Sequence, residues 1–427
     1  MTVVLMVKFL SPIEQGYYFT LITLAALQVV FELGFSFVIL QHAAHERAHL
    51  KLLPDGRVEG DTRAYSRLAS VLQLTVRWYA RAAIVLTGLL IPGGILFFSR
   101  NEQAGTQVHW LLPWLVAAIA CVAIFLQDPL TSFLEGCGEV RQVARLRFCQ
   151  CIANTVGAWA ALFSHHGLFA PGMSMIGAAV MGAAFLWRRR RFFSGLLHYP
   201  VTEHTVSWLH EVWPFQWKIA VSWICAYFTR QVFTPFLFHY RNAVEAGQMG
   251  MSISVVGYVA AIVLAWMTTK APTFGQLVAH REFRQLDHLF FRTLVQAMSF
   301  LFFVSIICMT GILLLDRFFP RLAARLVSPQ AFALLLLGTA GSVFVQSIAI
   351  YLRSFKREPL LWQSVAVTVL TLLLCWISVE RMGTMGVALS YLICTGLIGT
   401  ISGWLIFSAW RRSLTKGNVE PATVRTR

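Results

Sequence analysis

Residues 294–315, LVQAMSFLFFVSIICMTGILLL, lie between Arg292 and Asp316 without one charged side chain. Wound as an α-helix at about 1.5 Å per residue, such a run rises about 33 Å, enough to cross the hydrocarbon core of a bilayer. Stretches of the same character lie on both sides of it, at 17–40, 78–98, 111–134, 148–164, 168–187, 213–239, 248–269, 331–352, 361–379 and 384–408. About eleven full spans are therefore expected. The runs are unbroken rather than alternating, which excludes a membrane β-barrel. Helices satisfy their own backbone hydrogen bonds in lipid. The chain reads as an all-α integral membrane protein.

Composition agrees. Of 427 residues, 57% are apolar and 13% charged, with a mean hydropathy of +0.65. Soluble proteins carry about 25% charged residues, and a single soluble core could not hide so much apolar surface. The net charge of +16 does not point to nucleic acid, since Lys and Arg sit in short loops where they set topology and meet membrane lipids. Alternate loops hold 26 and 7 of the basic residues. The richer set contains the loops near 42–76, 136–147, 188–212, 271–292 and 353–359 and the C-terminal tail. The positive-inside bias makes these cytoplasmic and implies a multi-pass protein of an inner or plasma membrane.

The eight cysteines form no CxxC pair and read as small packing residues. No metal site and no cofactor are expected. Met1–Leu10 has no basic start and no small-residue cleavage site, so no cleavable signal peptide is expected.

The sequence also falls into halves. Ile13-Glu14-Gln15-Gly16-Tyr17 opens one apolar run, and Val244-Glu245-Ala246-Gly247-Gln248 opens another 231 residues later. Trp187-Arg188-Arg189-Arg190 and Trp410-Arg411-Arg412 close them, and Gln150 is echoed by Gln363. The expected organisation is an N-terminal bundle at 1–191, an amphipathic cytoplasmic connector at 192–212, a C-terminal bundle at 213–410 and a basic tail at 411–427. Two pseudo-repeated six-helix bundles result if residues 1–10 end a truncated first helix, which predicts further residues upstream. Repeats of this kind suggest a transporter.

Charges within spans are costly, about 2.5–3.5 kcal/mol each on insertion scales, so those that remain tend to face a cavity or a partner. Gln28, Glu32 and Ser36 recur every four residues and so line one face of the span 17–40. Asp128, Thr131, Ser132 and Glu135 form a second stripe beside Pro129, which is expected to bend its helix or free a backbone carbonyl there. Lys218, Ser222, Cys225 and Thr229 share a third face, with Arg230 about 120° away from Lys218. Glu32 and Asp128 are candidates for proton coupling. Arg230, Lys218, Gln28, Ser222 and Thr229 are candidates for a substrate cavity. His165 and His166 have no acidic neighbour in sequence and read as solvated. No GxSxG, HExxH or phosphate-cradling glycine loop occurs, so catalysis is not expected.

Several stretches resemble a known family. Phe9-Leu10-Ser11-Pro12-Ile13-Glu14-Gln15-Gly16-Tyr17-Tyr18-Phe19-Thr20 and Ala26-Leu27-Gln28-Val29-Val30-Phe31-Glu32-Leu33-Gly34 are similar to the opening of bacterial polysaccharide-biosynthesis membrane proteins. So are His45-Glu46, Leu134-Glu135-Gly136-Cys137-Gly138-Glu139-Val140 and Trp213-Pro214-Phe215-Gln216-Trp217-Lys218-Ile219-Ala220. A longer match runs from Phe233-Thr234-Pro235 to Thr269-Lys270-Ala271-Pro272. These proteins are lipid-linked oligosaccharide flippase-like members of the MATE-like multidrug/oligosaccharidyl-lipid/polysaccharide exporter superfamily. The resemblance implies two six-helix bundles in a V around a central cavity, alternating access, and a lipid-linked glycan as substrate, with glycan-synthesis enzymes as further partners. Arg230 departs from the family pattern, which is apolar there. Two other functions stay open, a cation-coupled multidrug exporter and a non-transporting scaffold of a glycan-synthesis complex.

Overall fold

The computed structural model describes residues 2–47, 50–52, 58–101, 108–200, 213–355 and 358–415. The chain divides into two compact units, Met1–Tyr227 and Phe228–Arg427. The division falls inside one helix, between the connector expected at 192–212 and the end of the span expected at 213–239. Residues 201–212 of that connector lie outside the described residues.

Unit 1 begins with α1 (Thr2–Phe9) and α2 (Pro12–Ala25). Ser11 and Glu14 start α2 with a reciprocal capping box: the Ser11 amide donates to Glu14 Oε2 at 2.7 Å, and the Glu14 amide donates to Ser11 Oγ at 3.1 Å. The expected single helix over 17–40 is not formed. It is divided into α2, α3 (Gln28–Glu32) and α4 (Phe35–Arg47), with Leu33 and Gly34 left-handed at φ 51° and 63°. A Cβ at Gly34 would collide with Ile219 of α10 (Trp213–Gln231), so close approach by that helix also requires glycine here.

A short antiparallel ribbon follows, β1 (Leu50–Leu52) and β2 (Val58–Gly60). Helical periodicity gave no sign of it. The remaining helices of unit 1 are α5 (Thr62–Arg100), α6 (Leu111–Gly136), α7 (Val140–Phe163), α8 (Ala170–Arg188) and α9 (Arg190–Leu197). Small residues let these helices approach closely, as lipid-embedded helices require. A Cβ on Gly136 would lie 2.5 Å from the Leu40 carbonyl oxygen, and one on Gly177 would lie 2.6 Å from that of Ala153. α9 buries Phe192, Phe193 and Leu196 against the unit. Gln73 Nε2 lies within 3.4 Å of the carbonyls of Leu196, Leu197 and Tyr199 at the end of α9.

Unit 2 contains the end of α10, then α11 (Phe233–Tyr240), α12 (Ala243–Ala279), α13 (Phe283–Phe318) and α14 (Pro320–Ala323). α15 (Pro329–Arg353), α16 (Leu361–Tyr391), a π-helix at Leu392–Gly399 and α17 (Thr400–Thr415) complete it. Gly383, at φ 54° and ψ −133°, divides α16 into two arms. Tyr351, Phe290 and Phe407 form an aromatic core with ring centroids 4.8–5.6 Å apart. Tyr351 donates to Asp287 Oδ1 at 2.7 Å, and Arg411 pairs with the other oxygen of that carboxylate.

The sequence echoes correspond to equal local devices. Asn242 caps α12 as Ser11 caps α2, and the Glu245 amide donates to Asn242 Oδ1 at 2.8 Å. Gln150 of α7 donates to the Ala178 carbonyl on α8, while Gln363 of α16 donates to the Gly399 carbonyl in the π-helix.

Among the described residues, seven helical stretches are long and apolar enough to cross a membrane. The difference from eleven has local causes. The runs 17–40 and 213–239 are divided into pieces, at Leu33–Gly34 and at Val232. The run 148–164 is a continuous part of α7, diluted by Gln150 and Asn154. The last two runs lie in the single stretch Leu361–Ser413, whose arms part at Gly383. Of the seven, Phe283–Phe318 is the least buried by protein. The chain is a multi-pass membrane protein, all-helical apart from the ribbon.

Candidate functional site

In unit 1 the break after Glu32 turns its side chain and Ser36 toward α5 and α6. Ser36 lies within hydrogen-bonding reach of the Glu32 carboxylate, and its hydroxyl is 3.2 Å from that of Tyr79. Asp128 is close enough to Glu32 and to Tyr79 to act on both electrostatically. Gln28 accepts from Cys121 Sγ at 3.0 Å, and Tyr227 donates to the Thr23 carbonyl at 2.8 Å. Glu32 and Asp128 are only half-buried. Two carboxylates, a phenol and a hydroxyl thus form one polar cluster inside an apolar unit.

The stripe expected on α6 separates in its duties. Asp128 belongs to this cluster. Thr131 donates to the Asp128 carbonyl at 2.8 Å, and Glu135 is held by Arg147 at 2.6 Å. α6 continues through Pro129 as one helix. Sequence reasoning missed Tyr79 and Cys121. Tyr79 stands between Arg77 and Arg81, Cys121 stands in an apolar run, and only the tertiary fold brings them near Glu32 and Asp128.

In unit 2 Arg230 lines a narrow cleft between α12 and α15. Its polar lining comes from Thr339, Ser342 and Gln346 of α15 and from Tyr391 of α16. Tyr391 Oη is 3.4 Å from Thr339 Oγ1, and Gln346 donates to Ser342 at 2.9 Å. Arg230 acts electrostatically on Tyr391, and it has no carboxylate partner among the described residues. The α15 residues were legible in principle, since Thr339, Ser342 and Gln346 stand at i, i+3 and i+7 on one face.

The other cavity candidates lie elsewhere. Lys218 is exposed and sits 5.9 Å from the Trp217 ring centroid. Ser222 is half-buried on the same helix. Thr229 is 2.9 Å from the hydroxyl of Thr368. Gln28 belongs to the unit 1 cluster. Lys218 and Ser222 fall in unit 1, whereas Thr229 and Arg230 fall in unit 2. All eight cysteines are free, and no cluster of metal-ligating residues occurs among the described residues.

No protein-family model matches the chain, and no curated protein matches it in sequence. Solved structures do match in fold. An inward-facing multidrug resistance MATE family transporter of the MOP superfamily superposes with a TM-score of 0.71 at 14% identity, covering 96% of this chain and 94% of that one. A mutant Vibrio cholerae MATE transporter gives 0.57 at 14% identity, over 96% and 92%. A MATE bound to MaL6 gives 0.55 at 13% identity, over 96% and 97%. The chain shares its fold with these structures.

Proposed function

We propose that this protein flips a lipid-linked oligosaccharide or polysaccharide precursor across a bacterial inner membrane by alternating access, and that it is not an enzyme. The observation that carries this reading is Arg230. A guanidinium with no carboxylate partner among the described residues, beside hydroxyls and an apolar wall, suits an amphipathic anion. Its planar fork matches phosphate oxygens, and an anion buried without such a partner would be strongly disfavoured. Lys218, the second cation of the same helix, is a further candidate for contact with the headgroup. Ser222 and Thr229 supply further hydroxyls, and Gln28 an amide. Glu32 and Asp128 bind and release the driving proton. The substrate binds with membrane lipids around it, and glycan-synthesis enzymes supply it at the cytoplasmic face.

In reconstituted vesicles, Arg230→Ala is expected to slow flipping of a lipid-pyrophosphate oligosaccharide about ten- to a hundredfold, corresponding to about 1.5–3 kcal/mol for a hydrogen bond to a charged group. Unimpaired flipping by the Arg230→Ala, Lys218→Ala double variant would remove the cation from the mechanism. Active export of neutral or cationic drugs instead would favour a second reading, a cation-coupled multidrug exporter. That reading is supported by the paired carboxylates of unit 1 and by the likeness to multidrug transporters.

The proposed orientation places the C-terminus and the ion pairs Glu46–Arg67, Glu135–Arg147, Glu139–Arg189 and Asp287–Arg411 on the cytoplasmic side. Side-specific reporters fused at Arg190 and at His166 should then give opposite signals. Equal signals would reject the map.

A further inference from the structure

The two halves close on the same residues and use them differently. In unit 2 Trp410 and Arg411 turn inward. The Trp410 ring lies 4.5 Å from that of Phe355, and Arg411 pairs with Asp287 over the rings of Phe291 and Phe407. In unit 1 Trp187 and Arg188 at the end of α8 are exposed, Trp187 by 68%. Their neighbour α7 runs antiparallel with backbones nearly touching. A Cβ on Gly157 would lie 2.4 Å from the Met173 carbonyl oxygen, and one on Gly177 2.6 Å from that of Ala153. Carried along both helices, that register sets Arg188 level with the first turns of α7, between Arg141 and Arg145. Both of these are exposed as well. The nearby acids are already taken, Glu135 by Arg147 and Glu139 by Arg189. Arg141, Arg145 and Arg188 have no carboxylate partner among the described residues.

Beyond these arginines the same surface is apolar. Phe148, Ile152 and Val156 continue the face of α7 that Arg141 and Arg145 begin, each 50% exposed or more. Val180, 54% exposed, stands on α8. Cations without counter-ions, set at the edge of an exposed apolar surface between two helices, match the layout of a phospholipid, anion at the interface and acyl chains below it. Zwitterionic lipid would bring a cation with every phosphate and leave the arginines uncompensated. A headgroup with one phosphate would leave two of three positive charges, whereas two phosphates on one molecule bind together, the second at high effective concentration. We propose that the exposed seam between α7 and α8 binds an anionic phospholipid whose headgroup carries two phosphates. Arg141 and Arg145 hold it from α7 and Arg188 from α8, and its chains lie along Phe148 and Ile152. The site belongs to unit 1 alone and does not depend on what the protein transports.

The test uses the full chain, purified in detergent and stripped of lipid. Cardiolipin, phosphatidylglycerol and phosphatidylcholine are titrated separately at equal phosphate concentration, and bound lipid is read by native mass spectrometry. Wild type should bind cardiolipin at least tenfold more tightly than phosphatidylglycerol and retain no phosphatidylcholine. The Arg145→Gln, Arg188→Gln double variant should bind cardiolipin at least tenfold more weakly. The Arg281→Gln, Arg284→Gln control removes two exposed arginines at the start of α13 and should bind like wild type. Inorganic pyrophosphate should not compete, which separates a lipid site from one for a soluble phosphate. A second measurement keeps all the arginines. A photo-crosslinking residue in place of Phe148 should capture cardiolipin from a mixed bilayer well above its bulk share. The same residue in place of the comparably exposed Phe302 of α13 should capture it at that share. Equal binding of phosphatidylglycerol, unweakened binding by the Arg145, Arg188 variant, competition by pyrophosphate, or no enrichment at position 148 would each overturn the proposal.

Discussion

Glu32→Gln is expected to abolish gradient-driven transport while the protein still folds and inserts. The side chain keeps its shape and its place beside Ser36, so the polar cluster stays filled. What is lost is the ability to gain and lose a charge next to Asp128 and Tyr79. One charge moved through the full membrane field is worth about 2.3 kcal/mol per 100 mV, which converts to roughly fiftyfold in an equilibrium at 1.4 kcal/mol per tenfold. Proteoliposomes with an imposed proton gradient should therefore show driven transport by wild type and at least a tenfold loss in Glu32→Gln. Asp128→Asn should lose a comparable amount. The double variant should be no worse than the weaker single, because the two carboxylates serve one cluster. Full driven transport by Glu32→Gln at equal expression would remove the carboxylate from coupling.

The second large effect concerns stability and contrasts neighbouring glycines of α5. A Cβ on Gly94 would overlap the Trp114 indole, whereas one on Gly93 would meet nothing within 4 Å. Trp114 has no exposed surface, and its Nε1 donates to the Ile91 carbonyl at 3.2 Å. Gly94→Leu must therefore expel the indole or part the two helices. Expulsion forfeits the packing that Trp→Ala loses in a core, about 3–5 kcal/mol. Gly93→Leu should leave the melting temperature near that of wild type, and Gly94→Leu should yield little monodisperse protein by fluorescence-detected size exclusion. Equal behaviour of the pair would show that α5 and α6 do not pack through Gly94.

Membrane class and the strongest spans were legible because apolar run length is a local property. The echo of Glu14 in Glu245 was legible as a repeat, and the structure shows that both glutamates sit three residues after a helix cap, Ser11 and Asn242. Breaks inside apolar runs were hidden. Nothing in Phe31-Glu32-Leu33-Gly34-Phe35 separates a straight helix with a glycine from one that turns left-handed there. The deciding contact is Ile219, nearly two hundred residues away. The same limit divided the polar candidates. Glu32 and Asp128 were singled out separately by the cost of charge in lipid, and only the fold brings them to one cluster with Tyr79. Arg230 was visible by the same cost, but the α12 wall opposite it was not, because an apolar stripe inside a membrane helix looks the same whether it faces lipid or a cleft.

α13 stands apart from the other long helices in what holds it. Between Leu301 and Ile312 none of its side chains is fully buried, and Val304 and Cys308 pack only in part against the core. Phe302, Phe303, Ile306 and Ile307 are all exposed there. In the bilayer those side chains are solvated by acyl chains, which makes lipid the packing neighbour of that stretch. Transfer to a micelle replaces that neighbour with one of different thickness and order. Detergent chain length then becomes a folding variable for α13, while α7 and α8, locked backbone to backbone through Gly157 and Gly177, are far less exposed to it.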